Sequence, residues 1–343
     1  MKPYLSSLIP HSPFVNHRSS ILYQGKICKY FSILTYHSFL AIIVFLALGL
    51  NRVAYGESWG RAASKSGFVN PALLVAPEEL RGHLDDSDLR IVDLRPMDKY
   101  RHGHIKGAIH IDWLALDDLA ANRIGLPLSL EKAEALFGDA GIDQDTHVVA
   151  YDGSGGLYAA RLFYVLEFLG HNKVHLLNGG IQGWKESGGR LITEPSSVPK
   201  KRFVAKPDPS RIATAGQIIK DLDSRDLVIL DVRSPQEYQG LDVRSARGGH
   251  IPFAVNQEWK KSLEGSDKKA FRSAEELKRM FEESGITREK EVIVYCQTGV
   301  RAAHTYFTLR LLGYPWVKNY DGGWEEWGNA LDLPAGKPGL CRG

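Results

Sequence analysis

Val292-Ile-Val-Tyr-Cys296-Gln-Thr-Gly-Val-Arg301-Ala-Ala-His-Thr-Tyr306 is the stretch that decides the reading of this chain. Four consecutive apolar residues ahead of Cys296 read as a strand buried on both faces. Ala302–Leu312 then reads as a helix that Gly313 ends, so Cys296 falls on the turn between strand and helix. At the carboxyl edge of a parallel sheet that turn is the usual place for ligand chemistry. Gly299 can take the conformation that lets successive backbone N–H groups wrap one centre. The helix N-terminus and Arg301 add positive charge, which favours a thiolate, the nucleophilic form. A buried inert thiol is the commoner use of a lone cysteine. A glycine-bearing loop with an arginine beside it serves no core purpose, so Cys296 is the candidate nucleophile.

Outward from this stretch the chain repeats itself with a period of about 140 residues, the length of a domain rather than of a solenoid unit. Asp88-Leu-Arg-Ile-Val-Asp-Leu-Arg95 matches Asp226-Leu-Val-Ile-Leu-Asp-Val-Arg233, and Gly103-His-Ile matches Gly249-His-Ile. Asn178-Gly-Gly-Ile-Gln-Gly-Trp184 matches Asp321-Gly-Gly-Trp-Glu-Glu-Trp327. Between these anchors short apolar strands alternate with capped amphipathic helices. Thr214 opens a helix through Asp221, and Leu227–Leu230 is a strand. Ser273 caps Ala274–Glu283, and strands follow at Glu291–Tyr295 and Trp316–Tyr320. The fold class expected is α/β: two related domains, each a parallel sheet with helices on both faces. The domains are placed at residues 71–191 and 213–335. The proline-rich residues 192–212 join them.

The first copy reads Val148-Val-Ala-Tyr-Asp152-Gly-Ser-Gly-Gly156, which puts Asp152 in the cysteine's place. A carboxylate cannot replace a thiolate nucleophile, so the first copy is expected to be inactive, with Asp152 capping the helix that follows. Ser154 lies between glycines, but position 152 lacks the Gly that a Gly-x-Ser-x-Gly elbow requires.

The chain has 343 residues, 43% hydrophobic and 24% charged, ample for two cored domains. Residues 1–56 hold Lys2, Arg18, Lys26, Lys29 and Arg52 and no acid, which is more than the whole net charge of +3. The body is therefore slightly acidic and offers no concentrated basic face, which argues against a nucleic-acid partner. Lys200-Lys201-Arg202 is a short solvated run in the linker. The apolar run Phe39–Leu50 behind Lys26 and Lys29 reads as an export signal, with an uncleaved membrane anchor as the alternative. An exported, periplasmic or extracytoplasmic body follows from either. Cys28 precedes that run and Cys341 sits in the Gly/Pro-rich tail, where it is expected not to meet Cys296.

Asp231-Val-Arg233, Gly249-His-Ile-Pro252, Cys296-Gln-Thr-Gly-Val-Arg301 and Asp321-Gly-Gly-Trp324 together resemble the rhodanese family of sulfurtransferases, in its two-domain form. The resemblance covers roughly residues 71–335. It implies that Cys296 carries a persulfide and that Gln297, Thr298, Gly299, Val300 and Arg301 form an anion-binding loop at the interface between the domains. It also implies a small anionic sulfur donor, a thiophilic acceptor, and no metal or cofactor. Arg247, shortly before Gly249-His250, resembles a pocket-rim arginine of the family. His104 and His250 recur in both copies and are expected to brace a turn, and Trp184, Trp324 and Trp327 to fill the core. Arg301 suits a highly charged donor, so thiosulfate is expected ahead of 3-mercaptopyruvate. Two departures stand out: Val75-Ala-Pro-Glu-Glu-Leu80 lacks the family's tryptophan, and Glu237 occupies a place where mammalian-type members carry arginine. The rivals are a cysteine phosphatase, whose Cys-x5-Arg loop is one residue longer, and a sulfur-carrier module that discharges only to a protein.

Overall fold

The computed structural model describes residues 67–117, 128–265 and 269–336. The segment read as an export signal, Cys28 and Cys341 lie outside the described residues. The first copy runs β1 (Leu74–Val75), α1 (Pro77–Gly82), β2 (Leu89–Asp93), α2 (Met97–His102), β3 (Ile109–His110) and α3 (Leu130–Asp139). It continues through β4 (His147–Tyr151), α4 (Leu157–Phe168), β5 (Val174–Leu177) and α5 (Gly180–Glu186). The second runs α6 (Ala215–Lys220), β6 (Leu227–Asp231), α7 (Pro235–Tyr238), β7 (Val255–Asn256), β8 (Leu263–Glu264) and β9 (Ala270–Phe271). It ends with α8 (Ala274–Glu283), β10 (Glu291–Tyr295), α9 (Val300–Leu311), β11 (Val317–Tyr320) and α10 (Gly323–Asn329).

Each copy builds a parallel sheet, in the order β1-β5-β4-β2-β3 and β11-β10-β6-β7. Where the first sheet has β1, the second has only a parallel bridge between Ile212 and Asn319. The central strands are buried except at their first residues His147 and Glu291, as continuous apolar runs require of a sheet covered on both sides. Alternation sorts their side chains. Ile293 and Tyr295 face an outer core with Trp324 and Trp327. Val292, Val294 and Cys296 face an inner one, and that core is continuous with the inner face of the first sheet through α4 and α9. The two copies thus share one interior.

Local signals account for most boundaries. Thr214 with Gln217, Ser234 with Glu237 and Ser273 with Glu276 form reciprocal capping boxes at α6, α7 and α8. Helix α9 starts two residues ahead of the expected Ala302, because Gly299 takes φ +78° and turns the chain into the helix at once. The linker is no loose tether. Lys201, Lys206 and Asp208 donate backbone hydrogen bonds to the carbonyls of Gly138, Leu169 and Phe168, and Phe203 is buried against Phe137.

Candidate active site

Cys296 leaves β10 on the inner row and is 1% exposed, one residue beyond the strand that supports it. The turn after it is fixed from α10. The N–H groups of Trp324 and Glu325 donate to the carbonyls of Cys296 and Gln297 at 2.8 and 2.9 Å. That approach requires Gly323, at φ +55°, since a Cβ there would lie 2.7 Å from the Cys296 carbonyl oxygen and 2.5 Å from that of Gln297. Gly323, the second glycine after Asp321, thus lets one helix hold the loop of another. The Asp-x-Arg motif has a similar supporting role. Asp231 accepts from Arg233 and from the Tyr295 hydroxyl, while Arg233 reaches the Gly249 carbonyl at 2.7 Å. Asp93, Arg95, Tyr151 and Gly103 repeat this in the first copy. His250 and His104 stack on Tyr238 and Tyr100 and bond to the carbonyls of those residues, bracing the turn in both copies.

Asp152 displays what such a loop holds. Its two carboxylate oxygens accept from the N–H groups of Ser154, Gly156, Tyr158 and Ala159 at 2.7, 3.0, 2.7 and 3.0 Å. Four backbone donors at the N-terminus of α4 thus close around one buried negative group. The first loop is one residue longer than the second: four residues separate Asp152 from Leu157, and three separate Cys296 from Val300. The residue-by-residue match of the loops therefore slips, and Gly156, not Gly155, is the counterpart of Gly299 as helix N-cap. In the second copy Cys296 stands at Asp152's place, and no side chain caps α9. Counted from the helix starts, the N–H groups of Arg301 and Ala302 match those of Tyr158 and Ala159.

The remaining candidates divide. Gln297 donates to Ser245 and Glu325 at 3.0 and 2.8 Å, tying the loop to its rim. Thr298 is half-buried, and Gly299 and Val300 are buried beneath it. Arg301 forms a bidentate pair with Glu237, at 2.7 and 2.8 Å, and Glu237 is 1% exposed. Burial opposes the guanidinium's charge, but Glu237 and the neighbouring Cys296 hold it protonated. The cation expected to read the donor is thus largely engaged by a carboxylate. Arg247 is tied down: its guanidinium donates to the carbonyls of Trp327 and Ala330 at 3.0 and 2.9 Å and so braces the end of α10. Replacing Arg247 with Met should lower stability by about 2 kcal/mol, the worth of hydrogen bonds from a charged donor, and leave KM unchanged. Thermal melts and steady-state rates on one sample check this.

Arg244 was not singled out from the sequence. It is half exposed, lies 3.6 Å from Glu237, and belongs to a loop peculiar to the second copy. Ten residues separate Tyr238 from Gly249, against two between Tyr100 and Gly103. That difference was countable in the sequence.

Burial works against the charge of Glu237, yet Arg301 pulls its carboxyl down to about 2. A carboxyl lowered by folding stabilises the fold above its unfolded value, about 4.3, and loses that contribution as pH falls toward 2. The contribution is on the order of 3 kcal/mol. Glu237→Gln should therefore flatten the acid limb of the stability curve between about pH 5 and 2, measured by denaturant titration at each pH.

The Rhodanese-like domain family model matches residues 76–187 and 214–330. A thiosulfate sulfurtransferase of Azotobacter vinelandii is 36% identical, covering 78% of this chain and 98% of its own. The sulfur carrier protein TtuD of Thermus thermophilus is 38% identical, over 79% and 99%. Among solved structures, the anaerobic ergothioneine biosynthesis enzyme of Chlorobium limicola, in complex with trimethyl histidine, superposes with a TM-score of 0.72. It is 27% identical and covers 78% of this chain and 71% of its own. A form of EanB with a cysteine persulfide, in a tetrahedral intermediate state with ergothioneine, superposes with a TM-score of 0.71 at 27% identity, over 79% and 71%. Both sheets, the Asp-Gly-Gly hold on the loop and these matches lead to one conclusion: this chain belongs to the rhodanese-like family, as a two-domain member.

Proposed function

We propose that the chain is a thiosulfate sulfurtransferase in which Cys296 is the sulfur carrier. The Cys296 thiolate attacks the outer sulfur of thiosulfate; a new S–S bond forms, the donor's S–S bond breaks, and sulfite leaves with the bonding pair. The resulting persulfide is attacked at its terminal sulfur by a thiophile such as cyanide or a thiol. The Cys296 thiolate then departs with its electron pair and the cycle closes. Loop N–H groups and the start of α9 stabilise negative charge on the transferring sulfur. The observation that carries this reading is the carboxylate of Asp152 held by four N–H donors in the sister loop, with a cysteine at the same station here.

The names of the Azotobacter vinelandii and Pseudomonas aeruginosa relatives support thiosulfate as donor. The name of the Thermus thermophilus relative favours a second reading, delivery of the same sulfur to a protein. The loop has four residues between Cys296 and Arg301, one fewer than a phosphatase loop, which suits a single sulfur better than a tetrahedral phosphate. Parallel kcat/KM measurements with thiosulfate and 3-mercaptopyruvate, cyanide as acceptor, test the donor. Higher values with mercaptopyruvate would reverse the assignment, and a loaded enzyme that ignores cyanide would favour the carrier reading.

Export belongs to the same proposal, on the acid-free residues 1–56 and their apolar run. Fractionation of expressing cells tests it, and activity confined to the cytoplasm would contradict it.

A further inference from the structure

We infer that Arg161, in the copy without a nucleophile, is a positioning residue of the Cys296 loop, acting through Asp321. The inference rests on the sulfurtransferase reading and extends it across the domain interface.

Arg161 is the one cation in α4, whose other positions are almost all apolar, and it is fully buried. A cation in that position needs a matched partner. Among the described residues it pairs with a carboxylate from each copy: Asp117 at 2.7 Å and Asp321 at 2.7 Å. Asp321 is the first residue of the Asp-Gly-Gly motif and leans on the catalytic turn. Asn319 donates to Asp321 at 2.9 Å and to the Gly299 carbonyl at 3.1 Å, and a Cβ on Gly299 would lie 2.5 Å from the Asp321 oxygen. Arg161 therefore holds the carboxylate against which the cysteine's loop folds.

The arrangement is reciprocal, which argues against an accident of packing. Counted from the helix starts, the counterpart of Arg161 is His304 in α9, and its Nε2 meets the carbonyl of Gly155, in the Asp152 loop, at 3.1 Å. Burial lowers the pKa of His304 to about 4, so this contact is neutral. Asn178, the counterpart of Asp321, accepts from the N–H of Phe271 in the other copy at 3.2 Å. Each copy thus braces the other's loop. Only the brace on the catalytic side is ionic.

Electrostatics give the ionic version its purpose. A buried carboxyl group keeps its charge only beside a matched cation. Burial pushes the Asp321 carboxyl up to about 6, and Arg161 opposes that rise. With Arg161 in place, Asp321 keeps its carboxylate form and its ionic hold beside the loop.

The test uses the full chain and three variants: Arg161→Met, Asp321→Asn, and both together. Arg161→Met should raise the KM for thiosulfate about tenfold, with kcat per folded molecule within about threefold. Asp321→Asn should raise KM to a similar degree, and the double variant should add little to either, because the two residues form one brace. Arg161→Lys should restore part of the loss. If Arg161→Met lowers the melting temperature but leaves KM unchanged, or the two effects simply add, the inference is overturned. Should Arg161→Met not fold, Asp321→Asn alone decides: a several-fold higher KM supports the inference, and an unchanged or lower KM overturns it. A wild-type chain that forms no Cys296 persulfide would instead sink the sulfurtransferase reading itself.

Discussion

Cys296→Ser is expected to abolish sulfur transfer, with a loss of roughly 10⁴–10⁶-fold, as for removal of a covalent nucleophile. The side chain is buried on the inner row of β10 and its carbonyl is held by α10, so the substitution should leave the fold in place. A hydroxyl fills nearly the same volume, but its oxygen cannot carry a sulfane sulfur. Circular dichroism and a melt within a few degrees of wild type would show that activity was lost for chemical reasons. A mutant that retains even a tenth of the turnover would mean that the sulfur travels elsewhere, Cys341 being the remaining thiol of the body.

The second large effect is expected at the Arg301–Glu237 pair. Arg301→Ala leaves the Glu237 carboxylate buried without its main counter-charge. Breaking a fully buried pair costs about 3–5 kcal/mol; with Arg301 one-fifth exposed and Arg244 nearby, a loss of about 2–3 kcal/mol is expected. Catalysis should fall about a hundredfold with thiosulfate and with mercaptopyruvate alike, since the loop loses its shape and gains an unpaired negative neighbour. Glu237→Gln in the same chain should recover most of the stability. A loss confined to thiosulfate, with Glu237→Gln alone harmless, would show that Arg301 reads the donor as a free cation despite its partner.

This pair also marks the limit of what the sequence could disclose. The strand and the turn at Cys296 were legible, because a doubly covered parallel strand and a glycine-bearing turn each leave local signatures. The duplication was legible because three anchors recur in order. Asp152 as a helix cap was legible too, since the pattern put a carboxylate just ahead of α4. No local pattern joins Glu237 to Arg301, 64 residues apart, or Arg161 to Asp321, 160 apart. Arg161 did leave a trace, a lone cation inside Leu157-Tyr-Ala-Ala-Arg-Leu-Phe-Tyr-Val-Leu166. The brace that Arg247 makes left no trace at all, because its direction is set by carbonyls some 80 residues later. The extra residue in the first loop was hidden because the two loops match from their strand ends, and the slip appears only at the helix starts.

The central claim is that sulfur rests on Cys296 between two half-reactions. Peptide mass spectrometry of the wild-type chain, incubated with thiosulfate and quenched before any acceptor is added, tests it directly. The account predicts a gain of one sulfur atom on the peptide containing Cys296, absent from Cys296→Ser and removed by cyanide in step with thiocyanate release. Sulfur on a Cys341 peptide instead, or thiocyanate formed while the Cys296 peptide stays unmodified, would contradict it.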